Sequence, residues 1–254
     1  MARILYVDMS TLGLHDAHFR ALLDQCKDAS SQVEVVHIQD DELVSATLPA
    51  EPYYYRSLFK TIKWGEDQGY DAAIIGCCAD PGLKEARNMT RMPVVGPFMA
   101  GMHLATMLGR RVGVLCPAKN GKRQRPFSWH EDNLLGYGFQ AHLAKFRAVN
   151  LDRPDQAVIE RLAAEGRLAE LGDLVLSAHR RSIMGEALAQ ARSAVAEGAD
   201  VLFFACTLWG GMVDPIAAEL GVPVVDPIFA ALKLAEVMAG PGRVARGRTV
   251  QTSK

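Results

Sequence analysis

Residues 69–77 read Gly-Tyr-Asp-Ala-Ala-Ile-Ile-Gly-Cys, and residues 198–206 read Gly-Ala-Asp-Val-Leu-Phe-Phe-Ala-Cys. Both run Gly-x-Asp, then an apolar strand, then cysteine, so the chain carries an internal repeat. The match continues outward. Sixteen positions after Cys77 comes Pro93-Val-Val-Gly-Pro-Phe-Met-Ala100, and seventeen after Cys206 comes Pro223-Val-Val-Asp-Pro-Ile-Phe-Ala230. Each is followed by a predicted helix containing Leu-Ala, at Leu104-Ala105 and Leu234-Ala235. More weakly, Arg3-Ile-Leu-Tyr-Val matches Arg111-Val-Gly-Val-Leu, so each half opens on a strand of one type. Duplication is the economical reading.

Around the repeat, short β-branched runs alternate with longer helical stretches, the pattern of parallel α/β architecture. Strands are expected at 3–8, 33–38, 72–77, 111–116, about 143–149 and 200–206. Segment 155–199 is the longest helical stretch, and Gly172 is expected to break it into two helices. Asp80-Pro81 and Asp226-Pro227 each place an Asp before a Pro, as an N-cap followed by the first helical residue requires. The expected fold is two pseudo-symmetric flavodoxin- or Rossmann-like domains with parallel sheets and a cleft between them. Residues 1–97 plus about 223–254 are assigned to the first domain, with Pro223-Val-Val-Asp226 returning the chain to it, and 98–222 to the second.

Composition bounds the function. With 254 residues, 49% hydrophobic and 22% charged, the chain is an ordinary globular protein, and collagen-like, coiled-coil and mini-protein readings are excluded. Lys and Arg total 28 against 29 Asp and Glu, which leaves no electrostatic footprint for nucleic acid or an anionic membrane. A small neutral or anionic molecule is the expected partner. No apolar run approaches the roughly 20 residues that span a bilayer, and Asp8 interrupts the start too early for a signal-peptide core. The expected location is the cytoplasm, where the five cysteines (26, 77, 78, 116 and 206) stay reduced.

Cysteines at the carboxyl ends of two equivalent parallel strands stand where open α/β sheets bind ligands. If the halves face each other, Cys77 and Cys206 flank one cleft from opposite sides. One thiolate can remove a proton from a carbon acid and the other thiol can return one to the opposite face, without a cofactor. Asp80-Pro81-Gly82 after Cys77, and Gly210-Gly211 after Cys206, suit tight turns whose N–H groups could hold a carboxylate or a developing enolate oxygen. Thr207 adds a hydroxyl beside the second thiol. Free cysteine also packs well as a small hydrophobe, which is the reading given to Cys26.

Residues 74–83, Ile-Ile-Gly-Cys-Cys-Ala-Asp-Pro-Gly-Leu, together with Arg87, Pro93-Val-Val-Gly96 and Phe204-Ala-Cys206, resemble the aspartate/glutamate/hydantoin racemase superfamily. The Cys-x-x-Asp-Pro-Gly-Leu run looks most like that of hydantoin racemases, and the resemblance extends to about residue 239. It implies the two-domain fold, cofactor-independent racemization of a 5-substituted hydantoin or related ureide such as allantoin, Cys77 and Cys206 as the acid/base pair, and a homo-oligomer. Where the family commonly carries an Asn-Pro-Asn-Ser/Thr turn that helps bind substrate, this chain reads Asp8-Met9-Ser10-Thr11, which keeps two hydroxyls but replaces an amide by a carboxylate. Cys116 stands where Thr is usual, and Leu208 after Thr207 breaks the glutamate racemase Cys-Thr-His pattern. Asp8, Ser10, Thr11, Cys78, Cys116 and Thr207 are the residues expected to line the substrate. Action on aspartate or glutamate is disfavoured. A decarboxylase or lyase, a maleate-type cis-trans isomerase and a non-catalytic small-molecule sensor stay open as alternatives.

Four features lie outside this scheme. The basic cluster Lys119-Asn-Gly-Lys-Arg-Gln-Arg125 is read as a solvated loop, and the Gly240-Pro-Gly-Arg-Val-Ala-Arg-Gly-Arg end as a basic tail. Seven histidines (15, 18, 37, 103, 130, 142 and 179) show no metal-ligand spacing, so no metal is expected. Trp209, three residues after Cys206, is a packing residue that could also wall the pocket. No glycine-rich phosphate loop follows a strand, and no serine nucleophile elbow is found.

Overall fold

A computed structural model describes residues 1–39, 51–118, 128–151 and 154–240; the basic cluster at 119–125 and the tail beyond 240 lie outside the described residues. The first half runs β1 (Ala2–Asp8), α1 (Asp16–Cys26), β2 (Ser31–His37), α2 (Glu51–Asp67), β3 (Ala72–Gly76), α3 (Leu83–Met89), β4 (Val94–Val95) and α4 (Pro97–Leu108). The second runs β5 (Val112–Pro117), α5 (Ser128–Tyr137), β6 (Leu143–Val149), α6 (Gln156–Ala164), α7 (Leu168–Ser182), α8 (Leu188–Ala196), β7 (Val201–Phe204), α9 (Asp214–Leu220), β8 (Val224–Val225) and α10 (Pro227–Ala239).

All strand pairs are parallel, and the sheets share one topology: β2-β1-β3-β4 and β6-β5-β7-β8. In each, the order reverses beside the central strand, between β1 and β3 or between β5 and β7. Such a switch point is where open α/β sheets leave a crevice at their carboxyl edge. The fold is therefore α/β with two repeated parallel sheets. Two strands of two residues each, β4 and β8, lie in the Pro-Val-Val repeats that the sequence left outside its strand set.

Strands buried on both faces alternate between two cores. Ile4 and Tyr6 of β1, with Val201 and Phe203 of β7, face one cluster that is shared by both sheets and filled by α4 and α10 through Phe98, Met102, Ile228 and Leu232. Leu5 and Val7 face the outer layer of the first sheet, and Leu202 and Phe204 that of the second. The last helix of each half crosses over: α4 packs on β7 and β8, α10 packs on β1, β3 and β4, and the two helices pack on each other. The strand Val224–Val225 itself pairs with β7 in the second sheet, so the return to the first sheet is made by α10 and not by Pro223-Val-Val-Asp226.

Gly172 does not break the long helical stretch. It lies inside α7, where a Cβ would stand 2.7 Å from the carbonyl oxygen of Leu14, so the missing side chain admits backbone from the first half. The break falls at Gly166, whose φ of 69° is the left-handed region that glycine enters without steric cost. A second irregularity, a π turn at Ile183–Ala187, joins α7 to α8. Among the described residues, no helix is long and apolar enough to cross a membrane.

Candidate active site

The two repeated cysteines end up in matching turns. The N–H of Cys77 donates to the carbonyl of Ile75 at 2.8 Å, and that of Asp80 to the carbonyl of Cys77 at 3.0 Å. Around the second cysteine, the N–H of Cys206 donates to Phe204 at 2.9 Å and that of Trp209 to Cys206 at 3.0 Å. Each thiol thus leaves the carboxyl end of the strand beside its sheet's switch point. Cys77 and Cys206 are both partly exposed, and none of the five cysteines is in a disulfide.

One hydrogen bond joins the two turns. The hydroxyl of Thr207 donates to the carbonyl of Gly76 at 3.0 Å, so the residue after one cysteine holds the residue before the other. Standard bond lengths then keep the two cysteine Cα atoms within about 12 Å of each other. The N–H of Ala79 donates to Sγ of Cys77 at 3.4 Å, and a sulfur anion is in general a stronger acceptor for such a bond than a neutral sulfur.

The other sequence-predicted residues divide by burial. Asp8 pairs with Gly76 across β1 and β3, beside the Cys77 turn, and is buried. Its carboxylate is engaged locally: the hydroxyl and N–H of Ser10 donate to it at 2.9 and 3.3 Å, and Nδ1 of His15 lies 3.7 Å away. Ser10 is buried as well, while Thr11 is half-buried. Cys78 and Cys116, 2% and 0% exposed, sit in the core shared by the two sheets. Burial pushes both thiols up, keeping them protonated. Trp209 is fully buried, edge-on to Phe204, and packs in the outer core of the second sheet.

Asp226 caps α10, accepting from the N–H groups of Ile228 and Phe229 at 2.8 and 3.0 Å, and accepts from Gly211 at 2.6 Å. Asp80 behaves differently from the expected local cap. It adopts a φ of 46° inside the Cys77 turn, α3 begins after Gly82, and the Asp80 carboxylate reaches across to cap α4. It accepts from the N–H groups of Phe98 and Met99, both at 2.9 Å, and from the hydroxyl of Tyr137 at 3.2 Å. Burial pushes the Asp80 carboxyl up to about 7, against these donors and Arg87, which favour the charged form. The sequence held a clue to this cap: position 226 is Asp in one repeat, and its partner, position 96, is Gly in the other.

α5, between β5 and β6 of the second half, supplies two groups that sequence reasoning missed. Tyr137 is one, and Asn133 is the other, its Nδ2 donating to the carbonyl of Ala79 at 2.7 Å. Among the described residues, no cluster of three or more His, Cys, Asp or Glu side chains is arranged to hold a metal ion.

A profile of the Asp/Glu/hydantoin racemase family matches residues 9–235. This chain belongs to that family. The racemase-family chain is 30% identical over 203 residues to a hydantoin racemase of Pseudomonas sp. (strain NS671), covering 76% of this chain and 70% of that protein. It is 32% identical over 182 residues to a hydantoin racemase of Rhizobium meliloti, covering 71% of this chain and 65% of that one. The matched segments thus span about two thirds of these relatives' length. Allantoin racemase from Klebsiella pneumoniae shares the fold, with a TM-score of 0.70 at 21% identity over 99% of this chain and 97% of that chain. The enzyme class of this hydantoin racemase-like chain is isomerase, of the racemase type.

Proposed function

We propose that this enzyme inverts the acidic ring carbon of a 5-substituted hydantoin or a related cyclic ureide such as allantoin, with Cys77 and Cys206 as opposed acid and base and no cofactor. The observation that carries this reading is the placement of the two thiols in matching turns at two switch points, tied by the Thr207–Gly76 bond.

In one direction Cys77, as thiolate, takes the proton from the carbon between the ring carbonyl and nitrogen. Electron density moves onto the carbonyl oxygen as an enolate, and the Cys206 thiol delivers a proton to the other face. The pair is left with its protonation exchanged, ready for the opposite hand. Turn amides at Cys78 and Thr207 would stabilise the enolate oxygen. The Asp8 carboxylate accepts from Ser10, so this pair orders the turn after β1, and Thr11 beside it is the side chain proposed to contact the substrate. Cys78 and Cys116 shape the floor from within the core.

A division into two α/β units, a homo-oligomer and residence in the cytoplasm belong to the same proposal.

Proton NMR in deuterated water tests it, following exchange at the acidic carbon of each enantiomer of several hydantoins, allantoin, aspartate and glutamate, with an enzyme-free control. Enzyme-dependent exchange with loss of optical activity is expected for a ureide. Consumption of a malonate or maleate analogue without ureide exchange would overturn the substrate assignment.

A further inference from the structure

The turn that carries Cys77 belongs to the first sheet, yet it is held by a helix of the second half. Asn133 and Tyr137 are four residues apart on α5, one helical turn, and therefore project from the same face. The first donates to the Ala79 carbonyl at 2.7 Å and the second to the Asp80 carboxylate at 3.2 Å. Ala79 is the residue whose N–H donates to Sγ of Cys77. α5 also faces the turn and α3 across a groove of about 510 Å³, which Asn133 lines, while the Tyr137 ring packs against the core beside Phe98.

We propose that Asn133 and Tyr137 are positioning residues for Cys77, through which the second half sets the reactivity of the thiol carried by the first. Neither touches the sulfur. Asn133 fixes the orientation of the Ala79 peptide, and Tyr137 fixes the Asp80 end of the same turn, so that the Ala79 N–H stays aimed at the sulfur. This inference rests on Cys77 acting as an acid/base. The titratable groups near Cys77 include Tyr6, Asp8, Tyr54, Cys78, Asp80, Arg87, Tyr137 and Cys206. Replacing Asn133 by Ala changes the charge of none of them, which makes it the cleaner probe.

The experiment is alkylation of the full-length enzyme by iodoacetamide from pH 6 to 10, with the modification of Cys77 and Cys206 quantified separately by peptide mass spectrometry. In Asn133→Ala, Cys77 is expected to react about tenfold more slowly at pH 7, as loss of a hydrogen bond to a charged group implies, and its ionisation midpoint moves up. Cys206 keeps its profile and serves as the internal reference. The kcat for ureide racemization falls with little change in KM, and Asn133→Gln recovers part of the loss. An unchanged Cys77 profile, or equal shifts at both cysteines, overturns the proposal. Should Asn133→Ala fail to fold, Tyr137→Phe is read by the same comparison. Cys77→Ser separates the two levels: full activity in that variant sinks the acid/base reading, whereas an inactive Cys77→Ser beside an unaltered Asn133→Ala sinks only the positioning role.

Discussion

A Cβ on Gly96 would lie 2.4 Å from Cγ of Asp80, so the Asp80 carboxylate occupies the space that a side chain at position 96 would take. In the other repeat the equivalent position is Asp226, whose own carboxylate caps α10. The two halves satisfy the same orphan N–H groups at the start of a core helix by different routes. In the first, the cap comes from the turn that holds Cys77, which couples the α4 terminus to the site. Asp80→Ala is therefore expected to remove the α4 cap at a cost of about 0.5–2 kcal/mol, read by urea denaturation.

The same residue sets a pH dependence. Its folded value of about 7 lies above the unfolded value of about 3.9, so the native state binds the extra proton between the two. Stability contributed by the neutral buried carboxyl is full below about pH 4 and is lost as pH rises through about 7. Urea melts across pH 5 to 8 should show Asp80→Asn gaining relative to the parent as pH increases. A constant difference across that range would refute the assignment.

Single-cysteine variants are expected to separate the two faces of the reaction. Cys77→Ser and Cys206→Ser should each lose racemization by on the order of 10²–10⁴-fold, the usual worth of a positioned acid or base. In deuterated water each variant should still exchange one enantiomer with retention, and the two variants should choose opposite hands. Polarimetry paired with proton NMR reads both, and retention of the same hand by both variants would contradict opposed thiols.

Thr207→Val removes the bond between the two turns at nearly constant volume and leaves the buried Gly76 carbonyl without that donor. A loss of about 1–3 kcal/mol is expected, which for a chain of this size lowers Tm by about 2–4 °C per kcal/mol. Thr207→Ser, which keeps the hydroxyl, should retain most of the stability. Thermal melts of the pair distinguish loss of the hydrogen bond from loss of the methyl group.

Gly172→Ala should destabilise the protein even though alanine is the better helix former by about 1 kcal/mol. The added Cβ meets backbone, the Leu14 carbonyl, which cannot move aside as a flexible side chain would. Gly185→Ala, in the π turn with open space around it, is the control and should be neutral or stabilising. Chemical denaturation of both variants decides whether α7 is pressed against the β1–α1 loop as described.

Much of this protein is legible along the chain. The paired Gly-x-Asp-strand-Cys runs ending at Cys77 and Cys206 announce the duplication, because a repeated strand and turn need only local pattern to be recognised. That pattern placed both thiols at strand ends and carried the family resemblance. Local rules then failed where the partner lay far away. Gly172 reads as a breaker by propensity alone, yet contact with Leu14 from the other half makes it an interior helix residue.

What the sequence by itself determined is the set of strands, the repeat and the two cysteines, since each follows from hydrophobic periodicity and spacing within a few dozen residues. Only the tertiary structure decided that Asp80 caps a helix beginning 17 residues later, that Asn133 and Tyr137 reach the Cys77 turn, and that Thr207 binds Gly76 across 131 positions. A hydrogen bond acts over about 3 Å in space and is indifferent to separation along the chain, so such pairings exist only once the two sheets have packed around their shared core.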